Sequence, residues 1–173
     1  MKPTRTLLIV YHSLTGGTRQ MAQAVQAGAQ QASRHEGSEE LLRVRLLTAT
    51  EAGPIDVLEA DGYVFATPEN LAAISGLMKD FFDRCYYPAL DQLNGRPYAT
   101  LICAGSDGHN AARQIDRIAT GWRLKSVAEP LIVCTHAQTP EAIAAPKHIH
   151  ADDLAPCRAL GEALATGLLL GVF

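Results

Sequence analysis

Six consecutive residues, Ser13-Leu14-Thr15-Gly16-Gly17-Thr18, place three hydroxyls and two glycines between a strand-like run and a helical pattern that begins near Gly17. A helix N-terminus presents backbone N–H groups without intrahelical partners, and glycines let the chain wrap closely around an oxyanion. Hydrogen bonds to a charged group contribute about 1.5 to 3 kcal/mol each, so four or five of them would hold a phosphate monoester without any lysine. Arg19 can add charge but is not required. A nucleoside-triphosphate loop is excluded, because it needs Gly-Lys-Ser/Thr where this chain has Gly17-Thr18-Arg19, and the dinucleotide fingerprint GxGxxG is absent. The plainer alternative is a glycine-rich turn with a capping threonine.

Two further loops carry chemistry. Thr67-Pro68-Glu69-Asn70-Leu71-Ala72-Ala73 leaves a strand-like run with Pro68 stiffening the exit, and Ala104-Gly105-Ser106-Asp107-Gly108-His109-Asn110 has small residues against which a flat ring could lie. The stretch Ala104 to Gly108 is also a near miss to a nucleophile elbow, with Ala in place of the first Gly and His136, His148 and His150 downstream. A small serine hydrolase using Ser106 is therefore the competing reading from another class. It leaves the hydroxyl-rich first loop unexplained, and the chain is short for that fold. His148-Ile149-His150 supplies two imidazoles but no third ligand by spacing, so no metal centre is expected. A phosphoreceiver is excluded because Tyr11-His12-Ser13 offers no acidic cluster for magnesium.

These loops need a scaffold that brings strand ends together. Five β-rich runs stand out: Thr6 to Tyr11, Leu42 to Leu47, Gly62 to Ala66, Tyr98 to Cys103 and Leu131 to Thr135. Most are continuously apolar, as strands buried on both faces of a parallel sheet are. In the second run Arg43 and Arg45 alternate with Leu42, Val44 and Leu46, the pattern of an edge strand. Between the runs lie helical patterns. One carries Met21, Val25, Gly28, Ala29 and Ala32 on a face, and another places Ile74, Leu77, Met78, Phe81, Phe82 and Cys85 at helical spacing. A third sets Ala111, Ile115, Ile118 and Ala119 against Arg113, Asp116 and Arg117, with Trp122 at its end as a packing residue. The last aligns Leu154, Cys157, Leu160, Leu164 and Leu168. The crossover within Glu51 to Ala60 is the least patterned. Asn94-Gly95-Arg96-Pro97 reads as a turn, and His136 to Ala151, with Pro140 and Pro146, is the longest irregular stretch. Alternating strands and helices imply a doubly wound α/β sheet.

The 173 residues suit one domain spanning 1–173, and a net charge of -3 with dispersed basic residues excludes the footprint of a nucleic-acid binder. Leu7 to Val10 is too short for a signal sequence and reads as a buried strand. The terminal run Leu168 to Phe173 is too short for a membrane span and is expected to dock on the core or on a partner, which leaves a homo-oligomer open. Cys85, Cys103, Cys134 and Cys157 form no CxxC and are expected as reduced, buried thiols of a cytoplasmic protein.

The first loop, Thr67 to Asn70 leading into Ser75-Gly76-Leu77-Met78-Lys79-Asp80-Phe81-Phe82-Asp83-Arg84, and Cys103-Ala104-Gly105-Ser106 together resemble the flavodoxin superfamily, particularly its NAD(P)H-dependent FMN oxidoreductase branches. The resemblance implies a flavodoxin-like three-layer sandwich with a five-stranded parallel sheet of order 2-1-3-4-5 and non-covalent FMN at the switch point. By the same resemblance Ser13, Leu14, Thr15, Gly16, Gly17 and Thr18 hold the FMN phosphate. Thr67, Pro68, Glu69, Asn70 and Leu71 flank the isoalloxazine, while Cys103, Ala104, Gly105, Ser106, Asp107 and His109 meet its pyrimidine edge. Asp107 near N1 would oppose the anionic reduced ring, so Asp107→Asn is expected to raise the two-electron potential. No aromatic residue stands in the second loop or in Gly105-Ser106-Asp107 to sandwich the ring, although His109 could stack in part. That departure and the mild net charge point away from a dedicated electron carrier docking on redox proteins. The function expected is an FMN oxidoreductase, acting as a quinone reductase or the like, that passes electrons from NAD(P)H to a small-molecule acceptor such as a quinone or flavin.

Overall fold

Apolar side chains on both faces drive the expected runs into one parallel sheet. The computed structural model describes residues 4–35 and 40–173; Met1, Lys2 and Pro3, read ahead of the first strand, lie outside them. In chain order the elements are β1 (Arg5–Tyr11), α1 (Gly17–His35), β2 (Leu42–Thr48), α2 (Pro54–Glu59), β3 (Gly62–Asn70), β4 (Ala73–Ile74), α3 (Gly76–Ala89), β5 (Pro97–Ala104), α4 (His109–Gly121), β6 (Lys125–Ser126), β7 (Leu131–Cys134), α5 (Pro140–Ala144) and α6 (Ala151–Leu170). The sheet order is β2-β1-β3-β5, with β6 and β7 both pairing β5 on its outer side. This is the expected order of five core strands, all parallel, with two short extras.

Two cores flank the sheet. Helices α1 and α6 cover Leu7, Ile9, Val64 and Leu101, while α2, α3 and α4 cover Leu8, Val10, Phe65 and Ile102. On the second face Phe65, Phe81, Phe82 and Trp122 form an edge-on aromatic cluster, with Phe65 and Phe82 centroids 5.0 Å apart and Phe82 and Trp122 5.3 Å apart. Such pairs contribute about 0.5–1.5 kcal/mol each beyond area burial. Trp122 is thus a packing residue. On the first face α1 and α6 approach until backbone meets backbone: a side chain on Gly28 would overlap the Arg158 carbonyl, and one on Gly161 the Val25 carbonyl.

Several expectations need adjustment. Ile74 leaves the α3 stripe for β4, because Ser75 caps the helix: its Oγ accepts from the Met78 N–H at 3.3 Å. Leu77 is left exposed. Strand β3 does not stop at Ala66. It runs on through Pro68 and turns back as a hairpin with β4. The stretch His136 to Ala151 contains α5, capped by Thr139 Oγ1, which accepts from the Ala142 N–H at 3.2 Å, and opened by Pro140. The terminal run splits. Leu168 is buried, while Leu170 and Val172 face solvent on either side of a glycine cap at Gly171, where the Val172 N–H donates to the Gly167 carbonyl at 2.9 Å. All four cysteines are free thiols, with Cys134 half-buried. Among the described residues no helix is long and apolar enough to cross a membrane.

Candidate functional site

The parallel register brings the ends of β1, β3 and β5 level: Tyr11 lies beside Ala66, and Pro68 beside Cys103. The winding direction reverses between β1 and β3, so the loops leaving these strands diverge around a crevice. The first loop is shaped by its own side chains. Ser13 Oγ accepts from the Gly16 N–H at 3.1 Å, and Gly16 sits at φ 91°, a conformation that suits glycine. α1 then begins at Gly17 with no room for a side chain, since a Cβ there would stand 2.6 Å from Cys103 Sγ. The N-terminal turn of α1 therefore lies directly against β5. Burial pushes the Cys103 thiol up to about 11, so it faces the loop as a neutral group.

The second loop is a two-residue hairpin turn. Glu69 pairs with Ile74 and Asn70 with Ala73, leaving Leu71 at φ 51° and Ala72 at φ 60°. Hairpins of this length favour Asn-Gly at such positions, and non-glycine residues there cost about 1 kcal/mol or more each. α4 holds the turn in place: Asn110 Nδ2 donates to the Ala72 carbonyl at 2.5 Å, and the Ile74 N–H donates to Gln114 Oε1 at 2.9 Å. Thr67 is fully buried, its hydroxyl donating to the Pro68 carbonyl at 3.0 Å and accepting from the Ser75 N–H at 3.1 Å.

The third loop meets a strap running from His136 to His150. The His136 N–H donates to the Gly105 carbonyl at 2.8 Å, and the Thr135 N–H to the Ala104 carbonyl at 2.9 Å. The strap then crosses to the first loop, where the Lys147 N–H donates to the Thr15 carbonyl at 2.8 Å. Gln20 locks the crossing. Its Nε2 donates to the Gly16 carbonyl at 2.9 Å and the Lys147 carbonyl at 2.8 Å, and its Oε1 accepts from the Ile149 N–H at 3.1 Å.

Together these segments border a cleft, partly open to solvent, with about 560 Å³ of empty space counting the solvent at its mouth. It is lined by Ser13, Leu14, Thr15, Gly17 and Thr18 from the first loop, Pro68, Glu69 and Asn70 from the second, and Cys103, Ala104 and Gly105 from the third. Gly16 instead forms the turn beneath it, and Thr67 braces the hairpin. Leu71 projects fully into solvent at the hairpin tip. Ser106 and Asp107 are exposed and outside the lining; the Asp107 carbonyl accepts from Cys134 Sγ at 3.6 Å. Of the two acids expected beside a ring, the cleft wall thus contains Glu69 and not Asp107. His109 opens α4 and faces a separate groove beside Tyr98, Thr100, Arg113 and Asp116, which leaves it off the cleft wall. No histidine is hydrogen-bonded to Ser106 among the described residues, so the hydrolase arrangement is not assembled. His148 and His150 lie 6.0 Å apart, both exposed.

Four lining residues were not anticipated: Thr135, Ala137, Ile143 and Lys147. All come from the end of β7 and the strap. Thr139-Pro140-Glu141 carries a legible helix start, but no spacing rule says where a long connection returns. Electrostatically the cleft is sparse, with Glu69 and Lys147 its only charged lining residues among those described. One oxygen of the Glu69 carboxylate is buried without a partner, which invites a donor from a ligand. His12, which follows β1, has a buried Nδ1 without a partner, and desolvation holds its pKa below the ordinary 6.5.

The parallel sheet, two helical layers and a cleft at the β1/β3 switch point define a flavodoxin-like α/β protein. The chain belongs to the NADPH-dependent FMN reductase family, whose model matches residues 6–139. A protein named flavodoxin from Aquifex aeolicus is 34% identical over 102 residues, covering 59% of this chain and 51% of that protein. A protein named NAD(P)H dehydrogenase (quinone) from Acidithiobacillus ferrooxidans is 35% identical over 91 residues, covering 45% of this chain and 46% of that one. The chain therefore spans about half the length of these curated relatives. The solved structure of a flavodoxin from the domain Archaea superposes with a TM-score of 0.73 at 16% identity, over 94% of this chain and 98% of that one, a likeness of fold. FMN is the cofactor the family implies, and the cleft's chemistry fits it: hydroxyls at the start of a helix for the ester, small side chains for the ring, and an unpartnered carboxylate oxygen for a ring N–H.

Proposed function

We propose that this protein binds FMN non-covalently in the cleft and acts as an oxidoreductase between NAD(P)H and a small acceptor such as a quinone or another flavin. When bound, FMN would supply the two-electron redox chemistry that couples NAD(P)H to the acceptor. The chain supplies everything else. Ser13, Thr15, Thr18 and the amides at the opening of α1 bind the phosphate, the helix dipole adding to their pull. Gly17 lets that turn approach β5. Pro68, Glu69 and Asn70 form one wall for the ring, and Cys103, Ala104 and Gly105 the other, with the free Glu69 oxygen positioned to accept an N–H.

The observation that carries the enzymatic reading is the composition of the cleft: among the described residues no aromatic side chain lines it, and it is partly open to solvent. A ring held there keeps an edge accessible to small molecules, whereas a dedicated carrier shields its ring and presents a charged docking face. Reconstituted with FMN, the purified protein is expected to oxidise NADPH or NADH in the presence of a simple benzoquinone, followed by loss of nicotinamide absorbance. Tight FMN binding with no pyridine-nucleotide turnover, but rapid electron exchange with a protein partner, would instead establish a carrier. Failure to bind FMN would remove both.

A further inference from the structure

Among the described residues Lys147 is the only cationic one lining the cleft, and the way it is held has a direct electrostatic meaning. Its ammonium donates to the carbonyls of Ala142 and Ile143 at 2.8 Å and of Ala145 at 2.6 Å, so its three hydrogens are taken up by neutral acceptors. No carboxylate lies within ion-pair distance of it among the described residues. Its backbone is tied to the first loop from both sides, the N–H to the Thr15 carbonyl and the carbonyl to Gln20 Nε2. Its Cβ stands 3.4 Å from where a side chain on Gly17 would begin. Among the described residues that charge has no carboxylate partner, and its field is felt at Cys103, whose Sγ stands 2.6 Å from where a side chain on Gly17 of the hydroxyl-rich loop would begin. Lysine is a mobile, strongly hydrated ion, and holding one still against carbonyls at a cleft wall leaves its field to be answered by an anion. Lys147 also lies outside residues 6–139, the part of the chain matched to the family.

We propose that Lys147 is the residue by which this cleft distinguishes a phosphorylated flavin from an unphosphorylated one. The inference rests on the FMN reading above. The ammonium acts on the dianionic phosphate and has nothing to bind on the free ribityl hydroxyl, so its contribution is electrostatic, specific to the ester and weakened by salt. Glu69, the other charged lining residue, sits on the second loop and serves the ring. The cleft is thus polarised, with its cation at the phosphate and its carboxylate at the N–H edge.

The test titrates the full-length apoprotein with FMN and with riboflavin, by flavin fluorescence at low and high ionic strength, for wild type, Lys147→Met and Lys147→Arg. The Met variant is expected to bind FMN about tenfold more weakly while riboflavin affinity stays within about twofold, and to lose most of the salt dependence of FMN binding. The Arg variant is expected to keep the preference for FMN over riboflavin. Parallel weakening of both ligands in the Met variant would overturn the proposal, because Lys147 would then act only by holding the end of α5. Unchanged FMN affinity would overturn it too. A wild-type protein that binds neither ligand would defeat the FMN reading itself, a result separable from either.

Discussion

Gln20 is the joint on which the cleft's far wall depends. Truncating it to Ala leaves the Lys147 carbonyl and the Ile149 N–H without their partner and strips the Gly16 carbonyl of its side-chain donor, although that carbonyl keeps the backbone N–H of residue 20 at 3.2 Å. A net hydrogen bond contributes about 1 kcal/mol, and a buried group left unpaired costs about 1–3 kcal/mol. Ile149 is buried, so its N–H stays unpaired, whereas the Gly16 carbonyl keeps its backbone bond and Lys147 is half-buried and can recruit water. The loss should total about 2–4 kcal/mol, concentrated in the strap because β1 and α1 remain held by the core. Hydrogen exchange reads this locally. The amides of Lys147 and Ile149 should exchange at least about thirtyfold faster in Gln20→Ala, while those of β1 and β3 stay unchanged. FMN affinity should fall at least about tenfold. Gln20→Glu separates the two halves of the joint: its carboxylate still accepts from Ile149 but faces two carbonyls it cannot donate to. It should exchange at Lys147 as fast as the Ala variant. If Gln20→Ala leaves both amides within about twofold of wild type, the joint carries no weight and the strap is held by its apolar contacts alone.

Three other outcomes follow from the geometry. Gly17→Ala forces a methyl to 2.6 Å from Cys103 Sγ, so FMN binding should drop about tenfold or more, and adding Cys103→Ala should restore most of it; no rescue would show that the glycine is needed for another reason. Ala72→Gly relieves the left-handed strain at the hairpin tip and should raise the urea midpoint by an amount worth about 1 kcal/mol, whereas a loss of stability would mean the turn is not strained. His12 is kept neutral by burial in the folded state and takes its proton at its ordinary pKa when unfolded. Its contribution to stability is thus complete above pH 6.5 and is lost as pH falls through the lowered folded value. His12→Gln should lose less stability than wild type between about pH 7 and about pH 5 in paired denaturation curves, and an equal loss in both proteins would refute the assignment.

Much of this molecule is written in local pattern. Continuous apolar runs can only be satisfied by burial on both faces, so the order of strands and helices, the position of the parallel sheet and the loops that emerge at its functional edge are all legible from residue types. The hydroxyl-rich loop is legible for the same reason, since its chemistry lies within six adjacent residues. What pattern does not carry is where side chains end up once the chain has doubled back. Ile74 fits the helical stripe of α3, yet the bond from the Met78 N–H to Ser75 Oγ starts the helix after it. Asp107 and Glu69 look equivalent as loop acids, but only the β3–β4 hairpin aims its acid at the cleft. Lys147 stands 127 residues from Gln20 and is brought to the first loop by hydrogen bonds that no periodicity encodes. Burial and periodicity are properties of neighbours in sequence, whereas a binding wall assembled from β1, β3, β5 and a returning strap is a property of tertiary closure.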